Sequence, residues 1–150
     1  MQWIRNLIWI TAIVFALLNP RPARSAELDD VALELCPQVA ALLRRPVPAP
    51  EIVWVNDRQI FEQCRCQARA LFVEGGVRVN LSVDAQSKEG RAVIVHELVH
   101  WAQWLERGNA TGCDDWLARE DEALSIERRW RSMHGARLPP PPQYRCTNWR

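Results

Sequence analysis

The segment AVIVHELVHWAQWLERG, from Ala92 to Gly108, constrains the fold of this chain more than any other part of the sequence. Its apolar residues recur with the period of an α-helix and cover nearly the whole circumference of the helical wheel. A helix that is apolar on all sides has to be buried. The sequence therefore predicts a buried helix from about Ser87 to Arg107, with Gly108 ending it.

Two of the chain's three histidines lie on this helix. His96 and His100 are one turn apart on the same face, so both imidazoles can point at one ion. Glu97 is rotated about 100° from His96, which sets its carboxylate beside the ion, where it can accept a proton from a metal-bound water. This is the H-E-x-x-H arrangement of zinc sites. Because burying these groups without partners is costly, one bound zinc is favoured over two core histidines bonded to backbone carbonyls.

A catalytic zinc needs a third protein ligand and an open position for water. The candidates are Glu120, Glu122 and Glu127, in a second predicted helix from about Asp115 to Met133. On its helical wheel Glu120 lies on the apolar face that turns inward, whereas Glu122 lies on a mostly polar face. The burial argument predicts Glu120 as the third ligand, with Glu122 as the alternative. Glu127, two turns beyond Glu120 on the same face, is expected to orient a ligand and is the last alternative for the third ligand itself.

The motif HELVH, followed about 20 residues later by an acidic helix with small residues at Ala123 and Ser125, resembles the gluzincin branch of zinc metallopeptidases. Small secreted bacterial metallopeptidase-like proteins look similar. The resemblance covers roughly residues 51–133 and implies an α+β, minimal zincin-like fold, with a small twisted sheet packed on the H-E-x-x-H helix. It implies hydrolysis of a peptide or protein substrate by a zinc-activated water, with Glu97 as the general base.

The resemblance also bears on the third ligand. The segment EALS, from Glu122 to Ser125, is similar to the ligand-bearing segment of some gluzincins and keeps Glu122 open as a ligand. Many gluzincins have an aspartate four residues after the glutamate ligand, where this chain has Leu124 or Ile126. Another residue must then orient the histidine.

Alternatives from other classes remain at this stage. One is a secreted zinc-containing binding or scaffold domain without catalytic turnover, and another is a disulfide-stabilised domain without metal. Catalysis usually requires a hydrogen-bond donor besides the metal, and Tyr144 and His134 are the candidates. Gln103, three residues after His100 on the same face, either lines a cleft or is a buried glutamine bonded to the backbone.

A first helix is predicted over residues 27–45, with a kink or restart at Pro37. Between this helix and the buried helix, period-two patterns predict strands. EIVWV is one strand, and ARALFVE and VRVNLS form a hairpin around Gly75 and Gly76. The alternation from Val77 to Ser82 suits a half-buried strand near a sheet edge. A substrate backbone is expected to add antiparallel to this strand.

The N-terminus, residues 1–25, reads as a cleaved secretory signal peptide. Its apolar run from Leu7 to Leu18 is shorter than the roughly 20 residues of a membrane-spanning helix, although an uncleaved anchor is the alternative. Cleavage would remove three arginines, changing the formal net charge from +1 to −2. The mature chain, residues 26–150, is predicted to be one secreted or periplasmic domain with a proline-rich tail over 138–150. Its charges form no basic stripe, so no nucleic-acid partner is expected.

The chain has five cysteines, and export would place them in an oxidising compartment, where disulfides are the default. Cys64 and Cys66 are expected to be too close in sequence to pair with each other. The predicted bridge therefore joins one of them to Cys113. A cysteine-based zinc site is the alternative.

Overall fold

The computed structural model describes residues 23–145. Most of the predicted signal peptide, residues 1–22, and the end of the predicted tail, residues 146–150, lie outside the described residues. The described chain contains four helices and three strands. In chain order they are α1 (Ala23–Leu43), β1 (Glu51–Val55), α2 (Asp57–Cys64), β2 (Ala70–Val73), β3 (Gly76–Asn80), α3 (Lys88–Arg107) and α4 (Cys113–His134). The fold class is α+β, as predicted, with α2 as an additional helix between the first two strands.

The three strands form one mixed sheet in the order β1-β3-β2, in which β3 is parallel to β1 and antiparallel to β2. The predicted hairpin is confirmed: Val73 pairs with Gly76 across a two-residue turn at Glu74 and Gly75. Gly75 has φ +89°, a conformation that favours glycine.

The predicted position of the third strand is wrong. β3 is the central strand, with neighbours on both sides, and β2 is an edge strand. Val77 and Val79 are fully buried, and even Asn80 on the other face is buried, with its amide donating to Asp57 of α2. Alternating polarity reports the face on which a side chain lies, whereas the position of a strand depends on which partners pair with its backbone.

The helix α3 is at the centre of the core. Ser87 caps its N-terminus by accepting a hydrogen bond from Gly90 N at 2.9 Å, and the helix ends before Gly108, which has φ +66°. Its fully buried side chains include Ile94, Val95, Leu98 and Val99. They belong to one core cluster with the buried face of α1 and with the valines of β3. The buried helix of the sequence analysis is therefore present, within one residue of its predicted start.

The first helix, α1, continues through Pro37 and does not restart there. Its buried positions Leu28, Val31, Leu35 and Val39 have the spacing of one face of an α-helix. Among the described residues, no helix combines the length and apolarity that a bilayer span requires.

Two cysteines pair differently from the prediction. Cys64 and Cys66 are joined to each other, with an S–S distance of 1.98 Å, so neither can bridge to Cys113, which is also disulfide-bonded. The pairing is possible because α2 ends at Cys64 and Arg65 adopts a left-handed conformation, φ +55°. This turn brings the two Cα atoms to 5.1 Å, within the usual range for a disulfide. Cys36 is a free, buried thiol.

Candidate metal centre

The structure brings His96, His100 and Glu120 together where α3 and α4 face each other. The two Nε2 atoms are 3.1 Å apart. The Glu120 carboxylate oxygens lie 3.3 Å from His96 Nε2 and 3.3 Å from His100 Nε2. Zinc bonds of about 2.0 Å in a tetrahedron place ligand atoms about 3.3 Å apart. The separation of the two nitrogens, and of each nitrogen from one Glu120 oxygen, therefore matches the ligand spacing of a tetrahedral zinc.

Local helix geometry and burial produce this arrangement. The two histidines are one turn apart on α3, so their side chains share a face. Glu120 comes from the face of α4 that also carries the fully buried Ala123, whose small side chain lets α3 approach closely. The side chains of His96, His100 and Glu120 are only 12%, 13% and 11% exposed. Partly desolvated donors of this kind hold a cation more firmly than the same groups on an open surface.

A buried ion pair fixes the orientation of His96. Its Nδ1 lies 3.0 Å from Glu127 Oε2, and Glu127 Oε1 accepts a hydrogen bond from Arg131 Nε at 2.7 Å. Burial raises the pKa of Glu127, but hydrogen bonds from His96 and Arg131 outweigh burial and lower it. The ionised Glu127 accepts a hydrogen bond from His96 Nδ1–H, which turns Nε2 toward the ligand cluster. Glu127 thus supplies the orienting group that the sequence lacks at Leu124.

A neutral amide orients the second histidine. His100 Nδ1 donates to Gln103 Oε1 at 2.9 Å, and Gln103 Nε2 donates to Arg119 O and to Glu122 Oε2, each at 2.9 Å. Gln103 is completely buried. Gln103 lines the cleft and also bonds to the backbone, so both alternatives of the sequence analysis are correct. Its spacing from His100 was the signal that could have assigned this role.

Glu122, the alternative third ligand, lies outside the ligand cluster. Its carboxylate accepts from Gln103 and from Arg107 Nη2, the latter at 3.1 Å, and its side chain is 35% exposed. Glu122 therefore reaches the site only through Gln103 and His100.

Without a metal, a proton occupies the centre of the cluster. Burial lowers the pKa of His96, but hydrogen bonds with Glu120 and Glu127 raise it to about 10. For Glu120, burial raises the pKa, but hydrogen bonds from His100 and His96 lower it to about 2. The cluster thus holds a positive charge against an ionised carboxylate, and a metal cation would compete with that proton for the same atoms.

Glu97 lies in the adjoining cleft and not in the ligand cluster. It is 9% exposed, and its Oε2 accepts a hydrogen bond from the backbone N–H of Phe72 at 2.6 Å. The cleft has a volume of about 690 Å³. Its walls are β2, the disulfide turn, the facing sides of α3 and α4, the loop at 108–110 and the side chain of Tyr144.

Of the two candidate donors, the structure places only Tyr144 in the cleft. Its ring meets Trp116 edge-on, with centroids 5.5 Å apart. Burial, together with the charge of Glu120 and a hydrogen bond to it, raises the pKa of Tyr144, so the phenol remains a proton donor at neutral pH. His134 stacks on Trp130 at 4.1 Å and donates to Trp130 O, away from the cleft.

The donor set fits zinc. Two imidazole nitrogens and one carboxylate are a ligand combination that zinc takes in catalytic sites, where the fourth position is left for water or substrate. Both imidazoles also have an oxygen acceptor on Nδ1, as bound histidines usually do. Comparison of the chain with protein-family models, with curated proteins and with solved structures gives no match. The functional conclusion therefore depends on the chemistry of this site.

Proposed function

We propose that this chain is a zinc metallopeptidase of minimal, gluzincin-like zincin architecture. His96, His100 and Glu120 would hold one zinc per chain. The observation that carries the proposal is the set of 3.1–3.3 Å separations between the two Nε2 atoms, and between each Nε2 and one Glu120 oxygen, in largely buried side chains. They lie at a cleft that also contains the carboxylate of Glu97. Bound there, zinc supplies a Lewis acid for the scissile carbonyl and lowers the pKa of a coordinated water to about 7.

The remaining chemistry falls to residues of the cleft. Glu97 accepts the proton of the attacking water and later delivers it to the leaving amine. Tyr144, protonated at neutral pH, is the donor available to the oxygen on which negative charge develops. Glu127 and Gln103 keep the two histidines in the tautomer that presents Nε2.

The substrate backbone would pair with β2 and not with the strand that the sequence indicated. β3 has both of its edges occupied, by β1 and β2, so no further chain can add to it. β2 is an edge strand and borders the cleft at Ala70, Leu71 and Phe72. An extended peptide adding to this edge would run past Glu97.

We also propose that the chain is exported and cleaved after Ser25, as its N-terminal pattern indicates. The intact mass of protein recovered from the periplasm or medium tests this directly. Retention of residues 1–25 in the recovered protein would contradict cleavage.

The test of function is elemental analysis of the exported protein together with digestion of an unbiased peptide library. Glu97→Gln is the matched control, because it removes the base and retains all three ligands. We expect one zinc per chain in both proteins and cleavage by the wild type alone. Zinc in both with cleavage in neither would instead support a binding or scaffold domain. Absence of zinc, with unchanged melting in chelator, would overturn both zinc proposals.

A further inference from the structure

The backbone groups of β2 alternate between the sheet and the cleft. Asn80 N donates to Arg69 O at 2.9 Å, which makes Arg69 a residue whose hydrogen-bonding groups point toward β3. In an antiparallel ladder the next such residues are Leu71 and Val73, opposite Arg78 and Gly76. The N–H and C=O groups of Ala70 and Phe72 point away from β3. On an edge strand such groups normally face solvent.

The outward N–H of Phe72 has a partner in the cleft. It donates to Glu97 Oε2, with an N···O distance of 2.6 Å. Glu97 is 9% exposed, and a carboxylate so far from water requires such a partner. The bond leaves the second carboxylate oxygen available for a proton.

We propose that the backbone N–H of Phe72 is a positioning donor for Glu97. The position of the Glu97 carboxylate is then determined by the sheet as well as by α3. This role rests on the proposed function of Glu97, but the hydrogen bond itself does not. A backbone donor suits the role because β2 is held by its ladder with β3, and because the Phe72 ring contacts Trp104 with centroids 6.2 Å apart.

Amide hydrogen exchange on the full mature chain tests the bond without metal or substrate. We expect Glu97→Ala to accelerate exchange at Phe72 by roughly tenfold or more, because the amide loses its hydrogen-bond acceptor. The amides of Leu71 and Val73, which point toward β3, are internal controls and should keep their rates within about twofold. Unchanged exchange at Phe72 in Glu97→Ala would overturn the proposal. Equal acceleration at all three amides would do so as well, since it would show general loosening of β2.

A second measurement tests the consequence for catalysis. Replacing Phe72 with its α-hydroxy acid analogue converts the amide into an ester, which removes the N–H and retains the ring. We expect kcat to fall by roughly tenfold to a hundredfold, with KM and zinc content nearly unchanged. A rise in KM without a fall in kcat would show that the N–H serves substrate binding, and would contradict a positioning role. If the wild type cleaves no peptide, the proposed function fails, while the exchange measurement still decides whether Phe72 holds Glu97.

Discussion

Glu120 and Glu122 are two residues apart on α4, which turns their side chains about 200° from each other. Glu120 therefore meets both histidines, while Glu122 meets Gln103 and Arg107. We predict that Glu120→Ala lowers zinc affinity by orders of magnitude, because one of three protein ligands is lost. Glu122→Ala should lower it by less than about tenfold, since Glu122 acts through two intermediaries. A competition titration against a chromophoric chelator measures both, and the reverse order would reject Glu120 as the ligand.

Gln103 allows a test of the orienting bond to His100. Gln103→Leu leaves His100 Nδ1 and Arg119 O without their partner, and we predict a tenfold to hundredfold loss of zinc affinity. Gln38 offers a control, because its Oε1 accepts from Trp130 Nε1 at 2.8 Å and neither residue lines the cleft. Gln38→Leu should leave zinc affinity unchanged. Equal zinc affinities for the two variants would show that Gln103 is only structural.

At the scale of elements, the sequence predicts what local patterns encode. The 3.6-residue period, together with Ser87 and Gly108, located α3 within one residue of its start. The helix α2 was missed although it carries a readable signal: Asn56 and Gln59 form a capping box, each side chain bonding the other residue's backbone N–H. Its eight residues bury only Ile60, so the apolar period was too weak to predict it.

Sheet order and site assembly depend on contacts that no local pattern contains. β1 and β3 pair in parallel, although α2 and β2 lie between them in sequence, and this pairing makes β3 central. The histidine pair follows from spacing on one helix, and Glu120 follows from burial. By contrast, the bonds of Glu127 to His96 and of Phe72 to Glu97 join elements whose relative placement only the folded chain determines.

The disulfide turn between α2 and β2 is an element whose contribution to stability can be measured. The bridge spans a sequence separation of 2 and so closes a very small loop. Loop-closure entropy then predicts that replacing Cys64 and Cys66 with serine lowers the free energy of unfolding by only about 1.5 kcal/mol. Urea denaturation measures the difference. A loss above about 3 kcal/mol would mean that the turn supports more of the fold than its loop length accounts for.

At the scale of the whole molecule, α3 contributes residues both to the core and to the proposed metal site. Leu98 and Val99, fully buried, lie between the two histidines in sequence. Anything that binds the folded site therefore stabilises the entire chain. The proposed zinc would compete with protons for this site, because His96 must be neutral and Glu120 ionised to act as ligands. Any stabilisation by zinc would then depend on pH.

The sign of that dependence follows from the two pKa shifts. In the metal-free protein the pKa of His96 is raised from 6.5 to about 10. The stability that His96 contributes to the fold is therefore complete below pH 6.5 and is lost as pH rises toward 10. The pKa of Glu120 is lowered from 4.5 to about 2, so the stability that Glu120 contributes is complete above pH 4.5 and is lost as pH falls toward 2. The site therefore supports the metal-free fold most strongly between about pH 4.5 and 6.5.

The proposed zinc would displace the proton that gives the metal-free site this stability, so the stabilisation by zinc should grow as that proton is lost. We predict that the difference in melting temperature between zinc-loaded and chelated protein increases steadily from about pH 6 to about pH 8.5. Calorimetry at matched ionic strength measures it, with Glu120→Ala as the control in which the difference should be small at every pH. A difference that stays constant or shrinks over this range would show that zinc does not bind at His96, because binding there must displace the Nε2 proton that faces Glu120.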